Sequence, residues 1–381
     1  MVPEGWKVVT LGEVIHESAF GPRFSAELYS DNGNVGTIRT TDLDNEGNIN
    51  YKTIPYANLP DSFEAHYLKN NDLLITRSGT CGIPCLFEKQ DKPIIAGAFL
   101  IRFILKDNVH PKYIHSLLKS EHLQRDIHNL SSGGVQKNLS GTNLKKLKFS
   151  LPPFLEQKKI ARILCTWDKA INTTKQMLAN SQKLKEGLMQ QLLTGSGRFL
   201  DFSGEWKTVK LCDIAKIVKG KALSSKDLVD GEIPVIAGGK SSPYTHSHFT
   251  HENVITVSAS GAYAGYVSYH PYKIWASDCS VVEAKNNSDI GYIYQLLRFL
   301  QNKIYSLQSG GAQPHIYPKD LESLQVIIPS RVVQKRISSV LAICDKEIDV
   351  QQQKLHYLKQ EKKALMQQLL TGKRRVKVEA A

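Results

Sequence analysis

The sequence predicts an α/β protein that is written twice: two mixed α/β globules separated by a pair of long helices, the helices closing as an antiparallel two-helix coiled coil across a pseudo-two-fold axis. Three observations predict it. The phrase GLMQQLLTG at 187–195 returns as ALMQQLLTG at 364–372. Apolar residues at heptad spacing run upstream of both copies. In front of each stands a stretch rich in strand and turn residues, alike at its ends and unlike in its middle.

The repeat is the firmest of the three. Shifted by 177 residues, 157–195 lies over 334–372 without a gap, with about 18 of 39 positions identical, where chance gives about two or three. Gln157, Ile160, Leu164, Asp168, Lys169 and Ile171 fall on Gln334, Ile337, Leu341, Asp345, Lys346 and Ile348. The offset holds upstream, where SSGGVQKNL (131–139) lies over QSGGAQPHI (308–316). The openings WKVVTLGEV (6–14) and WKTVKLCDI (206–214) match at an offset of 200, so the second globule is shorter by 23 residues. The boundaries that follow are a first globule over 1–151, a first helix over 152–198, a second globule over 199–328, a second helix over 329–372 and a basic tail over 373–381.

Each helix is justified by its spacing. Steps of four and three from Ile160 reach Leu164, Trp167, Ile171, Thr174, Leu178, Ser181, Lys185, Leu188 and Leu192. The same steps from Ile337 reach Leu341, Cys344, Ile348, Gln351, Leu355, Leu358, Lys362, Leu365 and Leu369. This is a heptad seam. Pro152-Pro153 and Pro329 suit helix entrances, and Gly195 and Gly372 suit C-terminal stops. About 40 residues make a helix of roughly 60 Å, whose seam needs a partner in water. The other copy is the obvious one. The polar layers Thr174 with Gln351 and Lys185 with Lys362 are expected to help fix register, and two amphipathic helices packed into separate domains are the alternative.

The globules read as mostly β. NDLLITR, PIIAGAFLIRFIL, ENVITVSA and CSVVEA are strand candidates, and HPKYIHSLLKSEHLQRDIHNL and IGYIYQLLRFLQNKIYSL each suggest one amphipathic helix. The six cysteines, Cys81, Cys85, Cys165, Cys212, Cys279 and Cys344, are scattered and read as reduced core filler. No apolar run reaches the length of a membrane span, and the start lacks the layout of a signal peptide, so a cytoplasmic location is expected.

Enzymatic motifs fail on inspection. AGGKS (237–241) lacks the leading glycine of a phosphate-binding loop, because position 234 is Pro. LPPF (151–154) has Leu151 where an amino-methyltransferase motif needs a polar residue, and it reads instead as a strand end turning into a helix start. His246, His248 and His251 in YTHSHFTH have no supporting carboxylate or cysteine spacing, so no metal site is expected. No catalytic residues are assigned.

This layout resembles the specificity subunit of type I restriction-modification enzymes. The segments LPPFLEQKKIARIL…LMQQLLTG and IPSRVVQKRISSVL…LMQQLLTG carry the resemblance, together with the two tryptophan-led openings. It spans essentially the whole chain, although SRVVQ departs from the family's Pro-x-x-x-Glu-Gln opening. The resemblance implies a non-catalytic, DNA-binding subunit. Each globule would be a target recognition domain reading one half of a bipartite, asymmetric site in double-stranded DNA. The helices would dock two methyltransferase subunits that methylate adenine at N6, and a motor and nuclease restriction subunit would join them. S-adenosylmethionine and ATP would sit on those partners, with no cofactor on this chain and no membrane involved.

Base readers are expected on Gly-rich and polar loops of a β scaffold. In the first globule these are Arg23, Arg39, Thr41, Arg77, Ser78, Thr80, Gln136 and Lys137. In the second they are Lys219, Lys221, Lys240, Ser258, Ser260, Tyr263, Gln313 and His315. Arg77 is preferred, since it ends a strand before SGT where a guanidinium forks onto guanine; a structural ion pair is the alternative. Met189, Gln190, Met366 and Gln367 are the docking candidates.

Charge complicates the reading. The net charge is +13, which points to a polyanionic partner. Yet residues 1–151 carry 17 basic and 16 acidic side chains, and 199–328 carry 12 of each. Residues 152–198 carry 8 against 3 and 329–381 carry 12 against 5, so the excess lies on the helices and tail. Either local patches serve the DNA, or the methyltransferases supply the clamp, or both. The rival functions are a coiled-coil scaffold or adaptor that binds no DNA, and a silent specificity subunit without active partners.

Overall fold

The computed structural model describes residues 2–131, 138–202, 204–224, 226–239, 244–311 and 313–378. They form two compact units, Met1–Thr173 with Leu355–Ala381, and Thr174–Lys354. Each holds one mixed α/β globule together with a stretch of both long helices, Phe154–Thr194 and Arg331–Leu369.

The first globule opens on strand Lys7–Thr10, antiparallel to Lys148–Leu151. Thr10 ends the strand and caps the turn Leu11–Val14: its hydroxyl accepts from the Glu13 N–H, and the Glu13 carboxylate accepts from the Thr10 N–H at 2.6 Å. An antiparallel sheet of four strands follows in the order Ile15–Phe20, Leu100–Leu105, Leu73–Thr76 and Pro84–Leu86. A second sheet runs Tyr56–Ala57, Val35–Ile38, Ile94–Ala96, the last pair being parallel. The core joins Leu11, Phe103, Tyr113 and Leu117 to Ile160 and Leu164 of the first long helix, to Leu369 at the end of the second and to Leu370 just beyond it. The second globule has the same plan. Lys207–Lys210 pairs with Gln325–Ile328, and a six-stranded sheet has His251–Ser258 between Cys279–Ala284 and Val267–Ala276. Its core takes Ile337 and Leu341 from one long helix and Leu192 and Leu193 from the other.

Backbone bonds show that the repeat extends through the middles that the sequence leaves unmatched. Leu11 N–H donates to Leu147 O, and Leu211 N–H to Leu324 O, both at 2.8 Å. Leu139 N–H donates to Arg77 O, and Ile316 N–H to Ala259 O, both at 2.9 Å. Gln157 Oε1 accepts from the His110 N–H and its amide donates to Pro152 O; Gln334 does the same with the Asp289 N–H and Pro329 O. Each glutamine thereby ties the first turn of a long helix to its globule.

Two expectations are corrected. PIIAGAFLIRFIL is two strands, because the chain turns at Gly97–Phe99, where a Cβ on Gly97 would meet Ile38 O at 2.7 Å. Each amphipathic stretch is two helices: Pro111–Leu118 then Glu121–Leu130, and Ile290–Phe299 then Gln301–Tyr305. Ser120, extended and with its hydroxyl donating to Leu117 O, breaks the first of these.

The long helices follow the sequence closely. Every seam position from Ile160 to Leu192 and from Ile337 to Leu369 is buried or half-buried. Gly195 and Gly372 end them at φ 75° and 72°, the left-handed region a C-terminal glycine supplies. In the first unit Glu156 meets Arg375 and Asp168 meets Lys362, so the helices run antiparallel. In the second unit Lys185 pairs with Asp345. The two lysine–aspartate pairs are the same pair under the 177-residue shift, each lysine reaching the aspartate of the other copy. A half-exposed pair is worth only about 0.5–1 kcal/mol. Its contribution is to register, since a heptad slip would part both pairs at once.

The basic tail does not hang free in its described part. Arg375 donates through Nε and Nη2 to the Glu156 carboxylate and through Nη1 to Glu4 O, and Lys159 Nζ donates to Lys377 O.

Candidate nucleic-acid interface

The candidate readers of the first globule gather at one pole because its strands deliver them there. Ile15–Phe20 ends into Gly21-Pro22-Arg23, Val35–Ile38 into Arg39–Thr41, and Leu73–Thr76 into Arg77-Ser78. Gly97–Phe99 joins two further strands at the same pole. Gly21 allows the close approach: a Cβ there would lie 2.2 Å from both Ala96 O and Gly97 O. Gly220 repeats the arrangement, 2.3 Å from Ser277 O. Arg77 N–H donates to Phe99 O at 2.9 Å, which stitches two of these loops together.

Arg23, Arg39 and Thr41 line a cleft of about 580 Å³ with Phe24, Tyr29 and Phe99. Arg23 and Thr41 are exposed. The Arg39 fork is held: Nε and Nη2 donate to the buried Asp42 carboxylate, and Nη2 also to Thr53 O. Burial pushes the Asp42 carboxyl up, but the bonds from Arg39 and Thr53 outweigh it and hold it below the usual range. Arg39 thus presents one fixed edge of its guanidinium. Arg77 lies over the Phe20 ring at 4.4 Å, with Nε buried and without a partner. Ser78 is buried at the bridge to Asn138, and exposed Thr80 gives its carbonyl to the Thr76 hydroxyl. Gln136 and Lys137 lie outside the described residues.

In the second globule Lys219 and Lys221 are exposed, and Lys221 Nζ sits 5.3 Å over the Trp275 ring while Trp275 Nε1 donates to Lys221 O. Ser260 donates to the Asp278 carboxylate and forms a bridge with His315, which stacks on Tyr317. Tyr263 and Gln313 are exposed nearby in sequence, Ser258 is buried, and Lys240 lies outside the described residues. His246 accounts for part of the histidine-rich stretch: its ring packs at a tilt 4.4 Å from Trp275, and its nitrogens lie within hydrogen-bonding distance of Asp227 O and the His248 backbone.

The backbone equivalences place Arg77 and Ala259 at the same point of the two globules. The parallel pairs Ile38–Ala96 and Ile236–Ala276 likewise place Arg39 opposite Ala237. The poles therefore share a frame and differ in what they present. Phe20, Phe99, Thr37 and Asp278 belong to these poles and were not singled out from the sequence. Phe99 was hidden inside an apolar run, and its small neighbours Gly97 and Ala98 were the available signal.

The model of the type I restriction modification DNA specificity domain matches residues 3–180 and again 203–360. The chain belongs to this family. A putative type I restriction enzyme MjaX specificity subunit of Methanocaldococcus jannaschii is 28% identical over 298 residues, covering 71% of this chain and 70% of that one. The MjaIX specificity subunit of the same organism is 23% identical over 421 aligned positions, covering 98% and 95%. The crystal structure of a type I restriction-modification S subunit from M. genitalium shares the fold, with a TM-score of 0.73 at 20% identity over 97% of this chain and 99% of that chain. The chain is thus a type I restriction-modification specificity subunit with two recognition domains, a non-catalytic component of such systems. Among the described residues no helix is long and apolar enough to cross a membrane.

Proposed function

We propose that each domain reads one half of an asymmetric, bipartite DNA site, and that the paired long helices dock two copies of an adenine-N6 methyltransferase subunit. The observation that carries this reading is the contrast between the two parts of the repeat. The helices keep equivalent surfaces down to the exchanged lysine–aspartate pairs, as two identical partners require. The loop poles keep their frame and change their side chains, as two different half-sites require.

The docking candidates divide by burial. Met189 and Met366 pack against the two cores, whereas Gln190 and Gln367 are exposed. Leu155 and Val332, also 177 apart, are exposed apolar residues in the first turns of the helices, and they extend the repeated surface. In this reading a motor and nuclease subunit completes the assembly, and S-adenosylmethionine and ATP belong to the partners. The near-neutral domains make the methyltransferases part of the clamp on DNA.

The test is co-expression with the host's methyltransferase subunit, then single-molecule mapping of N6-methyladenine in host DNA. A split, asymmetric motif that vanishes on deletion of this gene is expected. Unchanged methylation with the complex intact would leave a scaffold or a silent subunit as the better account.

A further inference from the structure

We infer that the cleft of the first domain is a receptacle for one nucleobase unstacked from the bound DNA. This rests on the DNA-reading function proposed above and goes beyond it, since reading needs only base edges in a groove.

The cleft has the size and chemistry for a flat, edge-polar ring. At about 580 Å³ it falls within the range of small-ligand pockets, roughly 300–1,000 Å³. Its walls include the exposed rings of Phe99, at 55% exposure, and Tyr29, at 42%. Aromatic faces left open to water at a polar pole suit a stacking partner, and every base has a π-face. One lining residue carries an unpaired polar atom. Thr37 is 2% exposed, and its Oγ1 has no hydrogen-bond partner. An unpaired hydroxyl is a cost that the free protein carries and that a ring nitrogen or carbonyl of a base relieves. The rim holds Arg23 and the fixed guanidinium of Arg39, placed for the phosphates flanking an extruded nucleotide.

An aromatic side chain of a protein partner would fill the same volume. It would leave Thr37 unpaired unless it carried a polar edge, and it would bring no phosphate to the rim, so a nucleotide is the better fit. Among the described residues the second domain lacks two of these features: Ala237 stands where Arg39 is, and the turn that carries Phe99 is replaced by Ser277-Asp278. The inference therefore concerns one position in one half-site. Unstacking a base is costly, and proteins that insert side chains or extract bases meet that cost with contacts of this kind.

The experiment uses the assembled complex and its mapped target duplex, with 2-aminopurine placed in turn at each position of the first half-site. A several-fold rise in fluorescence is expected at one position that is not a methylated adenine. Phe99→Ala and Thr37→Val should abolish that rise and leave any signal at the target adenine unchanged. An abasic site at the same position should bind at least as tightly as the intact duplex. If the complex binds and methylates the target but no such position brightens, the receptacle is refuted while the DNA-reading function stands. If the complex binds no DNA, both fall. If Phe99→Ala instead disrupts co-purification with the methyltransferase, the cleft serves a protein and the inference is overturned.

Discussion

The second copy of the repeat supplies a control for an interaction in the first. Glu156 lies in the first turn of its long helix, and its side chain is 1% exposed. Its carboxylate accepts from Trp6 Nε1 at 3.1 Å and from Arg375 Nε and Nη2 at 2.8 and 2.9 Å. Under the shift of 177 residues Glu156 becomes Val333 and Arg375 becomes Arg198, and Val333 and Trp206 both pack against the second core. One fold thus solves the same junction once with a buried carboxylate and once without. Arg375→Ala strips a buried carboxylate of its cation. Breaking a fully buried pair costs about 3–5 kcal/mol. Arg375 is 44% exposed and water can reach its side of the pair, so about 2 kcal/mol is expected. Glu156→Val alone leaves Trp6 Nε1 without its acceptor and Arg375 half in solvent, and it should cost less. Glu156→Val alone copies the second junction, where Arg198 keeps its place over the Trp206 ring; the double variant removes the stranded carboxylate and should be more stable than Arg375→Ala alone. Urea unfolding of the four proteins gives the coupling energy directly. A cost below about 0.5 kcal/mol for Arg375→Ala, or no recovery in the double variant, would refute the reasoning.

Two further predictions follow from buried polar groups. Gln157→Ala and Gln334→Ala each remove a two-ended tie between a long helix and its globule and leave the His110 or Asp289 N–H without its acceptor; each should cost about 2 kcal/mol in urea unfolding, and a negligible effect of either would show that the ties are redundant. His115 is half-buried beside Pro84 O, and desolvation, with Lys119 nearby, pushes its imidazole down to about 4. The unfolded chain takes up this proton first as pH falls, so the contribution is complete above about pH 6.5 and is lost between there and about pH 4, by roughly 3 kcal/mol at most. Burial moves His270 in the second domain the same way; an NMR titration that found His115 protonating near 6.5 would refute the account.

What was legible in the sequence is what repeats locally. The heptad steps located both helices, and their glycine stops fell at Gly195 and Gly372 as expected, because helix periodicity and capping are written within a few residues. The globule middles were not legible as a repeat. A strand's place depends on partners far along the chain, so two sequences can share a register with few identities. The turn at Gly97–Phe99 and the break at Ser120 were missed because an unbroken apolar or amphipathic run outvotes a short interruption. Arg39 shows the limit for sites. Its loop position suggests a free base reader, yet Asp42 three residues on holds the fork, and only the folded backbone reveals that.

The domains proposed to read DNA are nearly neutral because their acidic side chains almost match the basic ones in number. Some of this balance is local: Arg102 and Asp72 are buried together, while Arg39 meets the buried Asp42 from the surface and Lys216 pairs with Glu283 there. The domains therefore offer phosphates little net charge, and each phosphate contact contributes mainly to non-specific affinity. A subunit that held DNA tightly through its backbone would dwell on every site alike. A subunit whose poles offer a few fixed donors, an aromatic cleft and little net charge discriminates without holding, and leaves the holding to its partners. In the proposed function the methyltransferases close that gap, and their docking surfaces lie on the helices, where the excess of basic residues is found.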